Sequence, residues 1–202
     1  MTAVIWPLLV SLVLPEPTSA VRAHNELREL VVAEQRSLTG YSHSRFMPSW
    51  TEAEGACDTR EVVLRRDAVS LTTDMDCEAV RGTWYSEYDG LTLHSEQQID
   101  VDHLVPLANA WVSGANAWTD AQRQTFANDL TRPELIAVSE SANLDKAGSS
   151  PATWRPPRKA YWCTYARAWI TVKHHYALTV SAKEKRALRR MLGTCATRTP
   201  SA

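Results

Sequence analysis

Apolar positions along this chain recur with two different periods, and the changes of period predict the elements. Leu27, Leu30 and Val31 fall at helical spacing and predict a short helix over residues 24 to 36. From Tyr41 to Trp50 the chain is polar and aromatic with no period, which reads as a loop and turn. Val62, Val63 and Leu64 form the buried side of a helix or extended segment between Arg60 and Arg66. Gly82 to Tyr85 and Gly90 to His94 predict a hairpin around the turn Ser86-Glu-Tyr-Asp-Gly90. The run Gln98-Ile-Asp-Val-Asp-His103 then reads as a strand that breaks near Pro106, where Leu104, Leu107, Ala108 and Trp111 begin a helical stripe.

The second half repeats this alternation. Thr119 is placed to cap a helix over Asp120 to Ala127, closed off by Thr131-Arg-Pro133. Leu135 to Val138 is too short an apolar run for an independent helix and reads as a strand, with Ser139 as the cap of a short helix carrying Asn143 and Lys146. Tyr161, Tyr165, Ala168, Trp169, Val172 and Tyr176 mark the buried stripe of a helix over about residues 159 to 176. A final helix opens on Ser181-Ala-Lys-Glu184, the sequence form of a capping box, and buries Leu188, Met191 and Leu192. Strands and helices in this order predict an α+β fold.

With 202 residues, one domain with a substantial core is expected. Ala3 to Leu14 is nearly all apolar and leads through Pro15 and Pro17 to small-residue sites at Ala20 and Ala23, so residues 1–23 read as an export signal and 24–202 as the single functional domain. A membrane anchor is the rival, but the run is short of the roughly twenty residues a span requires. No stable membrane association is expected after cleavage. Four cysteines suit an oxidising, extracellular location, and of the three pairings possible, Cys57 with Cys77 and Cys163 with Cys195 each close a local loop. A zinc site is disfavoured, because no Cys-x-x-Cys or Cys-x-x-His spacing occurs.

The net charge of -1 conceals a strong polarity. From Trp154 onward there are eleven Lys or Arg and a single acid, Glu184, so the C-terminal part is suited to a polyanion. A solvated basic helix face is the plainer reading of the same residues.

The adjacent Asp102 and His103, together with Asn143, bring in specific chemistry. Hydrolysis of a phosphodiester requires an activated water and neutralisation of charge on the phosphate and the leaving oxygen. A neutral imidazole suits the first task, making His103 the candidate general base. A hard divalent cation suits the second and prefers oxygen ligands, making Asp102 and Asn143 its candidate ligands. Neighbours on a strand point to opposite faces, so Asp102 and His103 can share a site only where the strand ends or bends.

These segments resemble the secreted HNH endonuclease group of bacteria and fungi. The resemblance is carried by Asp102-His103 followed by a helix ending in Trp111, by Phe126-Ala-Asn-Asp129, by Leu135-Ile-Ala-Val138 with Asn143 and Lys146, and by Pro151-Ala-Thr-Trp-Arg-Pro-Pro157. Cys57-Asp-Thr-Arg-Glu-Val-Val-Leu64 and the tail from Tyr161 to Leu192 extend it to roughly residues 40 to 195. It implies a ββα-metal core, disulfide-stabilised, with additional helices and a small hairpin. It also implies one divalent ion, Mg2+ first with Mn2+ or Ca2+ as substitutes, and a monomer acting on nucleic acid, DNA in preference to RNA. On this resemblance His103 is the base and Asp102 and Asn143 hold the metal.

The chain departs from the group in having Glu134 where many relatives carry a middle Asn, with Asn128 the nearest Asn upstream, and Lys146-Ala-Gly where many have Lys-Gly-Asp. Lys146 and Arg60 are candidate contacts to substrate phosphate; the plain alternatives are a solvated lysine and a structural ion pair. His94, His174 and His175 read as surface or core histidines. Two other functions fit the same residues: a secreted polyanion-binding module without turnover, and a hydrolase of some other phosphodiester.

Overall fold

The computed structural model describes residues 15–47 and 49–195. The elements in chain order are α1 (Ala20–Glu29), β1 (Glu52–Glu54), β2 (Cys57–Asp58), α2 (Thr59–Asp67), β3 (Ala68–Thr73), β4 (Ala79–Tyr85), β5 (Thr92–Leu93), β6 (Ile99–His103), α3 (Leu107–Val112), α4 (Asp120–Ala127), β7 (Leu135–Ser139), α5 (Glu140–Lys146), α6 (Trp162–His175) and α7 (Ala182–Leu192). Three small antiparallel sheets, β1-β2, β3-β4-β5 and β6-β7, are set among helices. The α+β class is as expected.

The pair β6 and β7 is the pivot of the molecule. Residues of β7 are buried on both faces, which explains why its sequence is a continuous apolar run instead of an alternating one. Ile136 and Val138 enter the large core formed with α1, α3, α6 and α7, while Leu135 and Ala137 enter a smaller core with Val63, Leu64, Trp84 and Ile99. The free edge of β7 is sealed by the end of α2: Arg66 donates to the Leu135 carbonyl at 2.6 Å, and the Ala137 N–H donates to Asp67 at 2.8 Å. An edge closed in this way is unavailable to another strand.

The predicted helix starts are observed as capping interactions. Thr119 with Gln122 and Ser181 with Glu184 form reciprocal capping boxes, Ser139 accepts from the Ala142 N–H, and α2 has a further box between Asp58 and Glu61. Both expected disulfides are present, Cys57–Cys77 and Cys163–Cys195. The hairpin at Ser86 to Gly90 is formed by β4 and β5, and β3 joins it as a third strand.

The first helix departs from expectation. It covers residues 20 to 29 and ends at Leu30; the predicted continuation to residue 36 is extended, with Val32 bridging Val180 and the Ala33 N–H donating to the Val180 carbonyl. The β-branched pair Val31-Val32 favours that conformation, and the ladder to Val180 supplies the hydrogen bonds a helix would have supplied. Most of the apolar leader lies outside the described residues. Of the two small-residue sites, Ala20 opens α1 and Ala23 is fully buried within it.

Candidate active site

Alternation along β6 sends Asp100 and Asp102 to one face and Val101 and His103 to the other, as their partners across the ladder confirm: Asp102 lies opposite Ile136 and His103 opposite Leu135. The strand ends at His103, and there both faces open onto one cleft of about 330 Å³. Asp102, His103 and Asn143 all line it, together with Tyr41, His43 and Trp50 from the loop before β1 and Leu144 from α5. Termination of the strand thus brings the two neighbours into one site.

The His103 ring is held by a hydrogen bond of 2.9 Å between Nε2 and the Ala127 carbonyl at the end of α4. A carbonyl oxygen only accepts, so Nε2 carries the hydrogen of the neutral ring and Nδ1 keeps its lone pair. Nδ1 has no protein partner among the described residues. Burial lowers the His103 pKa to about 4; the Ala127 carbonyl opposes that shift, while the nearby Lys146 and His43 add to it. At neutral pH the ring is therefore an unprotonated base. Trp50 lies parallel to it, with ring centroids 5.7 Å apart and an interplanar angle of 9°.

Asp102 is buried and doubly held. Its Oδ1 accepts from the Lys146 ammonium at 2.8 Å and its Oδ2 from the Tyr88 hydroxyl at 2.6 Å. Burial pushes the carboxyl above the ordinary aspartate range, and Lys146 and Tyr88 oppose that rise. Lys146 also donates to the His103 carbonyl at 2.9 Å and is wholly enclosed. A direct contact with substrate phosphate would need an exposed ammonium, so the expected substrate contact at Lys146 is not seen; its charge is spent on Asp102 and on the end of β6. Arg60 also lies away from the cleft, with its guanidinium 3.9 Å from Glu96.

Asn143 projects from α5 one turn before Lys146 and donates through Nδ2 to Asp100 at 3.0 Å, and its amide oxygen has no donor among the described residues. Asp102 and Asn143 offer hard oxygen donors to a common cleft. Among the described residues no cluster of three or more His, Cys, Asp or Glu surrounds a metal position. Oxygen donors of this kind match the preference of a small hard cation, which would complete its shell with water and phosphate oxygens.

Glu134, the unusual residue ahead of β7, is fully buried. Its carbonyl accepts from the Leu104 N–H at 2.7 Å and its Oε2 from the Val105 N–H at 3.2 Å, so it clamps the two residues that follow His103. Burial pushes its carboxyl well above the usual range. Asn128 acts elsewhere, accepting from the Thr51 N–H at 3.1 Å.

Tyr88, Trp50, His43 and Asp100 were not singled out by sequence reasoning. Tyr88 sits in a hairpin turn, and His43 and Trp50 in an aperiodic loop, where no spacing argument applies. Asp100 alone had a usable signal, since it precedes Asp102 by two residues on the same strand face. Trp154 is buried, donating to Asp145 at 2.7 Å and packing on Tyr88. His94 and His174 sit outside the cleft, beside Thr83 and Glu29 respectively. On α7 the exposed side bears Lys183, Arg186, Arg189 and Arg190, while Glu184 is buried against Lys173 and Trp169.

Residues 68–191, more than half of the chain, match the family described as GmrSD restriction endonucleases, C-terminal domain. A protein of Arthroderma benhamiae named "Uncharacterized secreted protein" is 49% identical over 181 residues, covering 90% of this chain and 88% of the relative. No solved structure matches the chain. The relative's name and the two closed disulfides agree on a secreted protein. By its match across β3 to α7, the chain belongs to the GmrSD restriction endonuclease C-terminal domain family, an HNH-type group.

Proposed function

We propose that this protein is a secreted, metal-dependent endonuclease built on a ββα-metal core of β6, β7 and α5, and that its substrate is nucleic acid, DNA before RNA. The observation that carries the reading is the neutral, fixed His103 ring in the cleft shared with Asp102 and Asn143. His103 Nδ1 takes a proton from water as the water oxygen attacks phosphorus. The bond from phosphorus to the leaving oxygen breaks in line, and that oxygen takes a proton from solvent. Asp102 and Asn143 would hold one divalent cation, Mg2+ first, which when bound neutralises charge on the phosphate and on the leaving oxygen.

The remaining residues serve this arrangement. Lys146 and Tyr88 fix the Asp102 carboxylate, much as outer-shell partners orient metal ligands elsewhere. Glu134 holds the turn after His103, the task that the resemblance gives to a middle Asn. The exposed basic face of α7 draws a polyanion toward the monomeric enzyme, with an affinity that falls as salt rises. Cleavage of plasmid DNA that is lost in EDTA and restored by Mg2+ is the expected behaviour. Cleavage unaffected by chelation would overturn the reading.

One observation favours a second reading. Both Asp102 oxygens already accept hydrogen bonds, from Lys146 and Tyr88, as suits a scaffold that binds a polyanion without turnover. DNA binding with no cleavage in Mg2+, Mn2+ or Ca2+ would establish that alternative.

A further inference from the structure

We propose that Trp50 is a positioning residue that sets the plane of the His103 imidazole; its catalytic consequence rests on the nuclease reading above, its structural one does not. The torsion that turns a histidine ring about its Cβ–Cγ bond has a broad, roughly two-fold profile, so the side chain does not choose its own plane. The hydrogen bond from Nε2 to the Ala127 carbonyl rejects the flipped ring, because flipping would put a carbon where the donor is needed. That single bond still tolerates a swing of tens of degrees. The indole narrows it, lying within 9° of parallel at a centroid distance of 5.7 Å.

The two rings are held by neighbouring residues. Ala127 binds His103 through its carbonyl, and Asn128, next in the chain, binds the N–H of Thr51, the residue after Trp50. The end of α4 therefore fixes both sides of the stack from one dipeptide. Trp50 is partly buried and packs on the smaller core, which limits its own freedom. A base that must meet water in line with a phosphate needs its lone pair aimed within about 10 to 20°. A planar neighbour supplies that control, whereas a merely bulky one does not.

The test compares Trp50→Leu, which stays apolar but has no flat face, with Trp50→Phe, which keeps a flat face, after thermal melting has shown both to be folded. In the metal-free protein, the ring protons of His103 should carry a ring-current shift from the indole in NMR spectra. Those resonances should move in Trp50→Leu and move less in Trp50→Phe. In DNA cleavage, Trp50→Leu should lower kcat by about 10- to 100-fold, with KM held within about threefold. Trp50→Phe should recover most of the loss. Unchanged His103 resonances in folded Trp50→Leu, an unchanged kcat, or a Phe variant as poor as the Leu variant would each overturn the proposal. If the wild type cleaves nothing, the nuclease reading falls, and the NMR comparison alone decides whether Trp50 holds the ring.

Discussion

His103 and Ala127 are joined across 24 residues by a hydrogen bond of 2.9 Å, and this one contact fixes which ring nitrogen carries the proton. The base is thereby prepared by the fold before any substrate arrives. It is also buried, and the two facts together govern the response to pH.

An unfolded chain's imidazole takes up a proton as pH falls through about 6.5, whereas folded His103 refuses it until about pH 4. In that window the unfolded state binds the extra proton, so folding loses up to roughly 3 kcal/mol on acidification through this group. The variant His103→Asn should lose that part of the pH dependence. Thermal melting of both proteins between pH 4 and pH 7 should show the gap in Tm moving in favour of the variant toward acid. Parallel curves would contradict the assigned state of the ring.

Much of the fold was legible in the sequence, for a physical reason in each case. Capping residues act within a turn, so Thr119, Ser139 and Ser181 announced their helices correctly. Leu135 to Val138 showed its double-sided burial as an unbroken apolar run. The limits were equally physical. Val31 falls at helical spacing with Leu27 and Leu30, but a partner 148 residues away at Val180 draws the next residue, Val32, into a bridge, which local periodicity cannot report. Of the site, Asp102, His103 and Asn143 could be proposed from chemistry, but Tyr88 and Trp50 reach it only through tertiary packing. Lys146 was recognised as important and given the wrong surroundings, because a sequence does not say whether an ammonium faces solvent or a buried carboxylate.

Lys146 and Asp102 form an ion pair with almost no access to water. Replacing Lys146 with Met leaves a buried carboxylate without its cation, a change that should cost about 3 to 5 kcal/mol. Adding Asp102→Asn should recover part of that loss, because the uncompensated charge is gone. Urea unfolding of the two single variants and the double variant measures the coupling. Additive effects would show that the pair is not the stabilising unit.

Glu134 gives a prediction of opposite character. Burial raises the pKa of its carboxyl, so folding favours the protonated form and stability from this group declines as pH rises above the ordinary glutamate range. Glu134→Gln keeps an acceptor for the Val105 N–H and cannot ionise. It should match the wild type within about 1 kcal/mol at pH 5 and gain on it as pH rises. Glu134→Ala, which strands that N–H, should lose about 1 to 3 kcal/mol throughout. Denaturant midpoints at pH 5 and pH 8 separate these outcomes.

Asn143 offers the cleft an amide oxygen while its Nδ2 is occupied by Asp100. Asn143→Ala should therefore raise the Mg2+ concentration needed for half-maximal cleavage by about 10-fold or more, on the scale of changes around other metal sites, and leave the melting temperature nearly unchanged. A Mg2+ titration of cleavage rate checks it. An unaltered requirement would remove Asn143 from the proposed ligand set.

The most direct measurement is single-turnover cleavage of a plasmid in saturating Mg2+ by the wild type and by His103→Ala, with DNA binding measured alongside in Ca2+. The variant should bind DNA within about threefold of the wild type and cleave it at least about 100-fold more slowly, the scale of a lost general base. Cleavage by His103→Ala at the wild-type rate would contradict the assignment of the buried imidazole as the base.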